Sequence, residues 1–224
     1  MAAMLNYASA RVNMVNGQIT PNRVTDPALI VALNTVPREL YVPQNAQGVA
    51  YIDEEIPLGN GRWLLEPMVL ARMMQNAEIT PRDVVLDVGC ACGYSTALLA
   101  KLANTVVALE SDAGLFEQAS KTLAAQATDT VTLVNCPMAD GYQFRVPYDV
   151  ILVNGAVSEV PTALFSQLAE GGRLVAVVAY NHDIVRLGQV RLYRKVGNSV
   201  SSVALFETAA AILPGFEFKP RFVF

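Results

Sequence analysis

The segment Val84–Ala100, VVLDVGCACGYSTALLA, limits what this chain can fold into more than any other stretch. An apolar run ending in an acid, a turn of small residues and an apolar helical run read as strand, tight turn and helix. Gly89 and Gly93 carry no Cβ and reach positive φ, so the backbone can turn sharply and pass close to a bulky ligand. A helix starting near Tyr94 then aims its free N–H groups at the same place. The rhythm continues downstream through VVALE, AGLFEQASKTLAAQA, VTLVN, YDVILVN, PTALFSQLA and GRLVAVV. Alternation of this kind predicts a doubly wound α/β architecture, a mostly parallel sheet with helices on both faces. Arg186–Val196 and Val200–Thr208 flank Gly197-Asn198-Ser199, a hairpin signal, so the sheet should close on an antiparallel pair.

The first third reads differently. Met4–Asn16 is an expected helix ended by Gly17. Asp26 caps a second, with Pro27 in its first turn. Thr35–Asn60 is expected to be mostly loop, and Pro67 opens a buried helix over Met68–Ala77. We therefore expect a single domain over 1–224, with an N-terminal helical, acceptor-side region at 1–79 and a core at 80–224.

Residues are 53% hydrophobic and only 16% charged, which raises the question of a membrane protein. No run of about 18 uncharged apolar residues occurs, so the expectation is no membrane span. Short apolar runs instead suit strands covered on both faces. A net charge of −4 without a basic run argues against nucleic acid. The N-terminus lacks a secretory pattern, and three cysteines suit a reducing, cytoplasmic setting. Cys90 and Cys92, with His182 the only histidine, make no zinc site, so no metal is expected. His182 reads as a loop residue between Asn181 and Asp183.

The glycine spacing around Cys90 and Ala91 is G-x-x-x-G, not the G-x-G-x-x-G of a dinucleotide site. Asp87 would repel a pyrophosphate but suits the ammonium of S-adenosylmethionine. Glu110 ends the second strand 21 residues past Gly89, where a carboxylate takes both ribose hydroxyls, and Ser111 follows it. After the third strand, Ala139 and Asp140 can wall and hold an adenine, with Gly141 turning the chain. The expected cofactor set is Asp87, Gly89, Cys90, Ala91, Gly93, Tyr94, Glu110, Ser111, Ala139, Asp140 and Gly141. Singly, a glycine turn or Asp140-Gly141 is an ordinary tight turn. In order on successive strand ends, they point to a Rossmann-like methyltransferase sheet.

RVNMVNGQI (Arg11–Ile19), VPRELYVP (Val36–Pro43), AYIDEEIPLGNGR (Ala50–Arg62) and the run Tyr148–Val178 complete the pattern. Together with the glycine turn, they resemble the protein-L-isoaspartate O-methyltransferase family. The resemblance implies a monomeric S-adenosylmethionine enzyme, releasing S-adenosylhomocysteine, whose substrate is the isoaspartyl carboxylate of damaged protein. A weak homodimer is the other expected state.

After its G-x-G the family usually reads Gln-Thr-Ile-Ser, then Gln or Ala, then Pro-His. This chain reads Arg62-Trp63-Leu64-Leu65-Glu66-Pro67-Met68. Leu65 stands at the position of the active-site serine or threonine, so no catalytic residue is assigned. Trp63, Leu64, Leu65, Glu66 and Asn154 are the acceptor-pocket candidates, although the first three also suit a plain core and Asn154 a loop cap at Gly155-Ala156-Val157. A carboxylate such as Glu66 about 6 Å from an anionic acceptor costs roughly 3 kcal/mol at a dielectric near 20. Arg62 would offset this, or pair at the surface with Asp53, Glu54 or Glu55. The readings that follow are an isoaspartyl methyltransferase, a methyltransferase for a small apolar or cationic acceptor, and a non-catalytic binding protein acting through a partner.

Overall fold

Asn6 accepts from the Ser9 amide and opens α1, Tyr7–Met14. The computed structural model describes residues 6–126, 128–180 and 186–218. Gly17 does not end the first helix: the coil continues as a π-helical stretch over Val15–Ile19 and a 3-10 turn over Thr20–Asn22. Val15 and Ile19 are both buried, which keeps the coil running, and the left-handed stop falls at Arg23, φ 65°. Asp26 caps α2, Pro27–Thr35, by accepting from the Ala28 and Leu29 amides at 2.8 and 3.2 Å.

Two 3-10 turns follow, Arg38–Tyr41 and Gln44–Val49. The expected loop then contains a small antiparallel hairpin, β1 (Ile56–Gly59) and β2 (Arg62–Leu64), turning through Asn60 and Gly61 at positive φ. Strands this short, one of them holding Pro57, leave no readable alternation. α3, Pro67–Asn76, buries Val69, Leu70, Ala71, Met73 and Met74.

The remaining elements are β3 (Val84–Val88), α4 (Tyr94–Leu102), β4 (Thr105–Glu110), α5 (Ala113–Ala125) and β5 (Val131–Asn135). After them come β6 (Tyr148–Val157), α6 (Thr162–Ser166), β7 (Leu168–Ala179), β8 (Leu187–Val196) and β9 (Ser199–Ala209). Seven strands form one sheet in the order β5-β4-β3-β6-β7-β8-β9, parallel through β7 and antiparallel at β8 and β9. Val85, Val106, Val150 and Val175 pack into one buried cluster, while their neighbours Leu86, Val107, Ile151 and Leu174 pack into the other. Strand side chains alternate between faces, so covering both faces requires consecutive apolar residues, which accounts for the apolar composition. Among the described residues no helix is long and apolar enough to cross a membrane. His182, with Asn181 and Asp183, lies outside the described residues.

Gly155-Ala156-Val157 is strand, not the loop expected. β6 runs on to Val157, and Ala156 bridges in parallel to Ile212. Ala156 and Val157 pair with Val177 and Val178 of β7 after a register shift, and Ile212 adds a second backbone partner for Ala156.

Candidate active site

β3 and β6 are neighbours, and the chain leaves them in opposite directions across the sheet. Open sheets bind ligands at the strand carboxyl ends beside such a switch point. The turn after β3 holds positive φ at Gly89, Ala91 and Gly93 (77°, 50° and 90°). The Gly89 and Cys90 amides donate to the Leu109 carbonyl at 3.0 Å, tying the turn to β4. A Cβ at Gly93 would come within 3.1 Å of Leu123, so that glycine lets α4 lie close to α5. Cys90, Ala91 and Cys92 are buried. Burial pushes the Cys90 thiol well up and the Cys92 thiol to about 12, so both are neutral near pH 7.

Asp87 is fully buried at the end of β3. One carboxylate oxygen accepts from Ser95 Oγ at 2.8 Å and Thr96 Oγ1 at 2.6 Å; the other accepts from the Asn154 side-chain amide. Three elements, β3, α4 and β6, thus meet on one side chain. Burial raises its pKa to about 6, against the lowering effect of Thr96, Ser95 and Asn154; nearby Glu110 raises it further. Because the Asn154 amide is spent on Asp87, its orientation is fixed and its oxygen remains as an acceptor.

Glu110 ends β4 with no exposed surface. It accepts from the Ala91, Ser111 and Asp112 amides at 2.8, 2.8 and 2.9 Å. Arg62 Nη1 reaches both of its oxygens, at 2.6 and 2.8 Å, and Nη2 donates to the Gly89 carbonyl at 3.0 Å. Arg62 is therefore not a surface partner of Asp53, Glu54 or Glu55; the hairpin β1–β2 turns it inward, where a buried carboxylate attracts it more strongly than screened surface acids do. Glu55 instead faces Arg186 at 3.7 Å.

Ala139 and Asp140 lie beyond β5 at one end of a cleft of about 750 Å³, faced by Ser158–Ala163 and Gly215–Phe218. Gly141 leaves this turn at φ 66°, ψ −151°, and a Cβ there would stand 2.4 Å from the buried Gln167 amide. That amide bonds the Tyr142 amide and the Asp140 carbonyl. Gly141→Ala should cost about 2 kcal/mol through strain and displacement of Gln167, read by thermal unfolding. Tyr94, at the start of α4, turns its ring away from this cleft into the core, against Tyr41 and Arg38.

Of the acceptor-pocket candidates, Leu64 and Leu65 are buried and Trp63 is half-buried, with the Arg186 guanidinium stacked on its ring at 4.5 Å. Leu65, Arg62 and Trp63 share a tight crevice with Asn154, Gly155 and Leu213. Glu66 is half-buried, and burial, with Asp53 and Glu54 nearby, raises its pKa. Arg38, fully buried, donates to the Leu65 carbonyl at 2.7 Å and the Ala50 carbonyl at 2.8 Å.

Two participants escaped the sequence reading. Arg38 stands in a quoted motif, but nothing in the motif says that it reaches Leu65. Leu213 follows the hairpin with no pattern around it, yet lies against both Gly89 and Gly155. The donor set suits S-adenosylmethionine: an acid at the end of β4, a turn with glycine at both ends, and a carboxamide oxygen beside Asp87. The space over Gly89 is filled by Arg62 and Leu213.

Residues 10–207 match the family described as Protein-L-isoaspartate(D-aspartate) O-methyltransferase. A protein-L-isoaspartate O-methyltransferase of Methanoculleus marisnigri is 37% identical over 79% of this chain and 81% of its own length. Protein-L-isoaspartate O-methyltransferase 1 of Rhodopseudomonas palustris is 32% identical over 95% and 86%. A Plasmodium falciparum structure, described as a putative protein-L-isoaspartate O-methyltransferase in complex with S-adenosyl-L-homocysteine, shares the fold. Its TM-score is 0.75 at 20% identity, over 93% of this chain and 98% of that one. With the strand order, the glycine turn and the acids at the ends of β3 and β4 in place, the chain belongs to the protein-L-isoaspartate O-methyltransferase family of S-adenosylmethionine-dependent methyltransferases.

Proposed function

We propose that this chain methylates an acceptor other than the isoaspartyl carboxylate, a neutral atom with a free lone pair on a small apolar or cationic molecule, and that its isoaspartyl activity is lost or greatly reduced. Bound S-adenosylmethionine supplies a methyl group on a positively charged sulfur. Around it, Glu110 takes the ribose hydroxyls, the turn Gly89–Gly93 lets the backbone approach, and Ala139 and Asp140 receive the adenine. Asp87 acts through Asn154, holding its carboxamide oxygen ready for the methionyl ammonium.

The observation that carries the acceptor reading is the cluster of acids beside the buried Leu65. Glu66, Asp53 and Glu54 form a negative rim, and the buried Leu65 offers no hydroxyl where the family carries one. An anionic acceptor meets repulsion there, and a cation meets attraction. In-line displacement depends mainly on alignment and electrostatic setting, so a change of acceptor does not require a general base to be rebuilt when the acceptor already holds a free lone pair.

A methyl-release assay on an isoaspartyl peptide tests this. The parent should turn over about a hundredfold more slowly than the Leu65→Ser/Glu66→Ala variant, the ratio expected from removing about 3 kcal/mol of repulsion. Equal rates in the two proteins would overturn the reading and restore the family substrate.

A further inference from the structure

We propose that Arg62 and Leu213 hold the cofactor site shut in the resting protein, so that the nucleoside enters only by displacing the Arg62 guanidinium from Glu110. The inference rests on the assignment of Glu110 to the ribose hydroxyls. In the structure that carboxylate has nothing left to offer a diol: three backbone amides and Arg62 Nη1 saturate its two oxygens. The amides belong to the turns after β3 and β4 and cannot leave without undoing them. Arg62 is the one donor carried on a separate piece of chain, the hairpin β1–β2.

The guanidinium is also imperfectly housed. It is 2% exposed, and its Nε is buried with no partner. An unpaired buried donor is destabilising, which lowers the energy needed to release the side chain. Beside it, Leu213 lies 3.0 Å from the position of a Gly89 Cβ and 2.7 Å from that of a Gly155 Cβ, so the two bare backbones that would face the ligand are covered by the chain's own leucine. The Leu213 segment is held by strand-like bonds, Ala156 N–H to the Ala211 carbonyl at 2.8 Å and Leu213 N–H to the Ala156 carbonyl at 2.9 Å. The adenine end stays open as the cleft beside Asp140. Binding would start there and finish when Arg62 yields its place.

A ligand that binds only a minor open form has its affinity reduced by the population of that form. The only tryptophan, Trp63, neighbours Arg62 on β2 and reports the release. In stopped-flow fluorescence with S-adenosylhomocysteine, the observed rate for the parent should rise and then level off with ligand concentration, because opening limits it. Arg62→Gln should raise that plateau and tighten binding about tenfold. Leu213→Ala, which leaves the ion pair in place, should move both in the same direction. A parent rate linear in ligand, with affinities of both variants within twofold of it, would overturn the proposal; so would weaker binding by Arg62→Gln, since Arg62 would then support the nucleoside. The ribose assignment fails separately, if 2′,3′-dideoxy-S-adenosylhomocysteine binds the parent as tightly as S-adenosylhomocysteine. No acceptor is present in these measurements; the acceptor reading is tested by the methyl-release assay.

Discussion

Arg38→Met is expected to lower stability by about 3 kcal/mol, because two buried carbonyls, Ala50 and Leu65, lose their donor together. The balance has an opposing side. Arg38 is a buried cation without a carboxylate partner; burial lowers its pKa, and its Nη1 is unpaired. Removing that charge recovers part of the loss, and methionine keeps most of the contact with the Tyr94 ring, which the guanidinium now covers at 4.9 Å. The loss of two donors outweighs this, since each orphaned carbonyl costs about 1–3 kcal/mol. For a chain of this size the melting temperature should fall by about 6–12 °C. A variant that melts with the parent would show that backbone rearrangement or water satisfies both carbonyls.

Asp87→Asn should do the reverse for stability and harm binding. The Asp87 carboxyl has its pKa raised from 3.8 to about 6 by burial, so the folded state favours the proton. The stability this group contributes is full below about pH 4 and is lost as the pH rises through about 6. Above that, keeping it ionised costs about 3 kcal/mol. An asparagine carries no charge, and the Ser95 and Thr96 hydroxyls can rotate to accept from its amide. The variant should therefore gain stability relative to the parent between about pH 4 and 6, with a constant advantage above that. S-adenosylmethionine should meanwhile bind about 10–100-fold more weakly, because the charge that orients Asn154 is gone. Denaturant melts across pH and calorimetric titration read the two effects separately. An Asp87→Asn variant less stable than the parent at pH 7 would show that the carboxylate's hydrogen bonds outweigh its burial.

The parallel sheet was legible because its strands are apolar on both faces and bounded by caps and glycines: Asp87-Val88-Gly89 and Glu110 fall at strand ends, as the spacing required. The hairpin β8–β9 was legible from Gly197-Asn198. What stayed hidden depends on contacts distant in sequence. Arg62 is 48 residues from Glu110, and its local neighbours Asp53, Glu54 and Glu55 offered a nearer ion pair. No local pattern says that a buried carboxylate, already held by three amides, will draw the arginine in. Likewise Gly17 looks like a helix stop until Val15 and Ile19 are seen to be buried on either side of it. The extension of β6 past Asn154 rests on partners distant in sequence, Val177, Val178 and Ile212, that periodicity cannot supply.

The pairing of Ala156 with Ile212 also bears on the order in which the molecule is made. The glycine turn, Glu110, Asp140 and Asn154 are all synthesised before Leu213, whereas Arg62 precedes them. The residues of the cleft floor, and the arginine that reaches into it, therefore exist in the chain before the leucine that completes the cover. Until Leu213 is added, the side chain that covers Gly89 and Gly155 is missing from the chain.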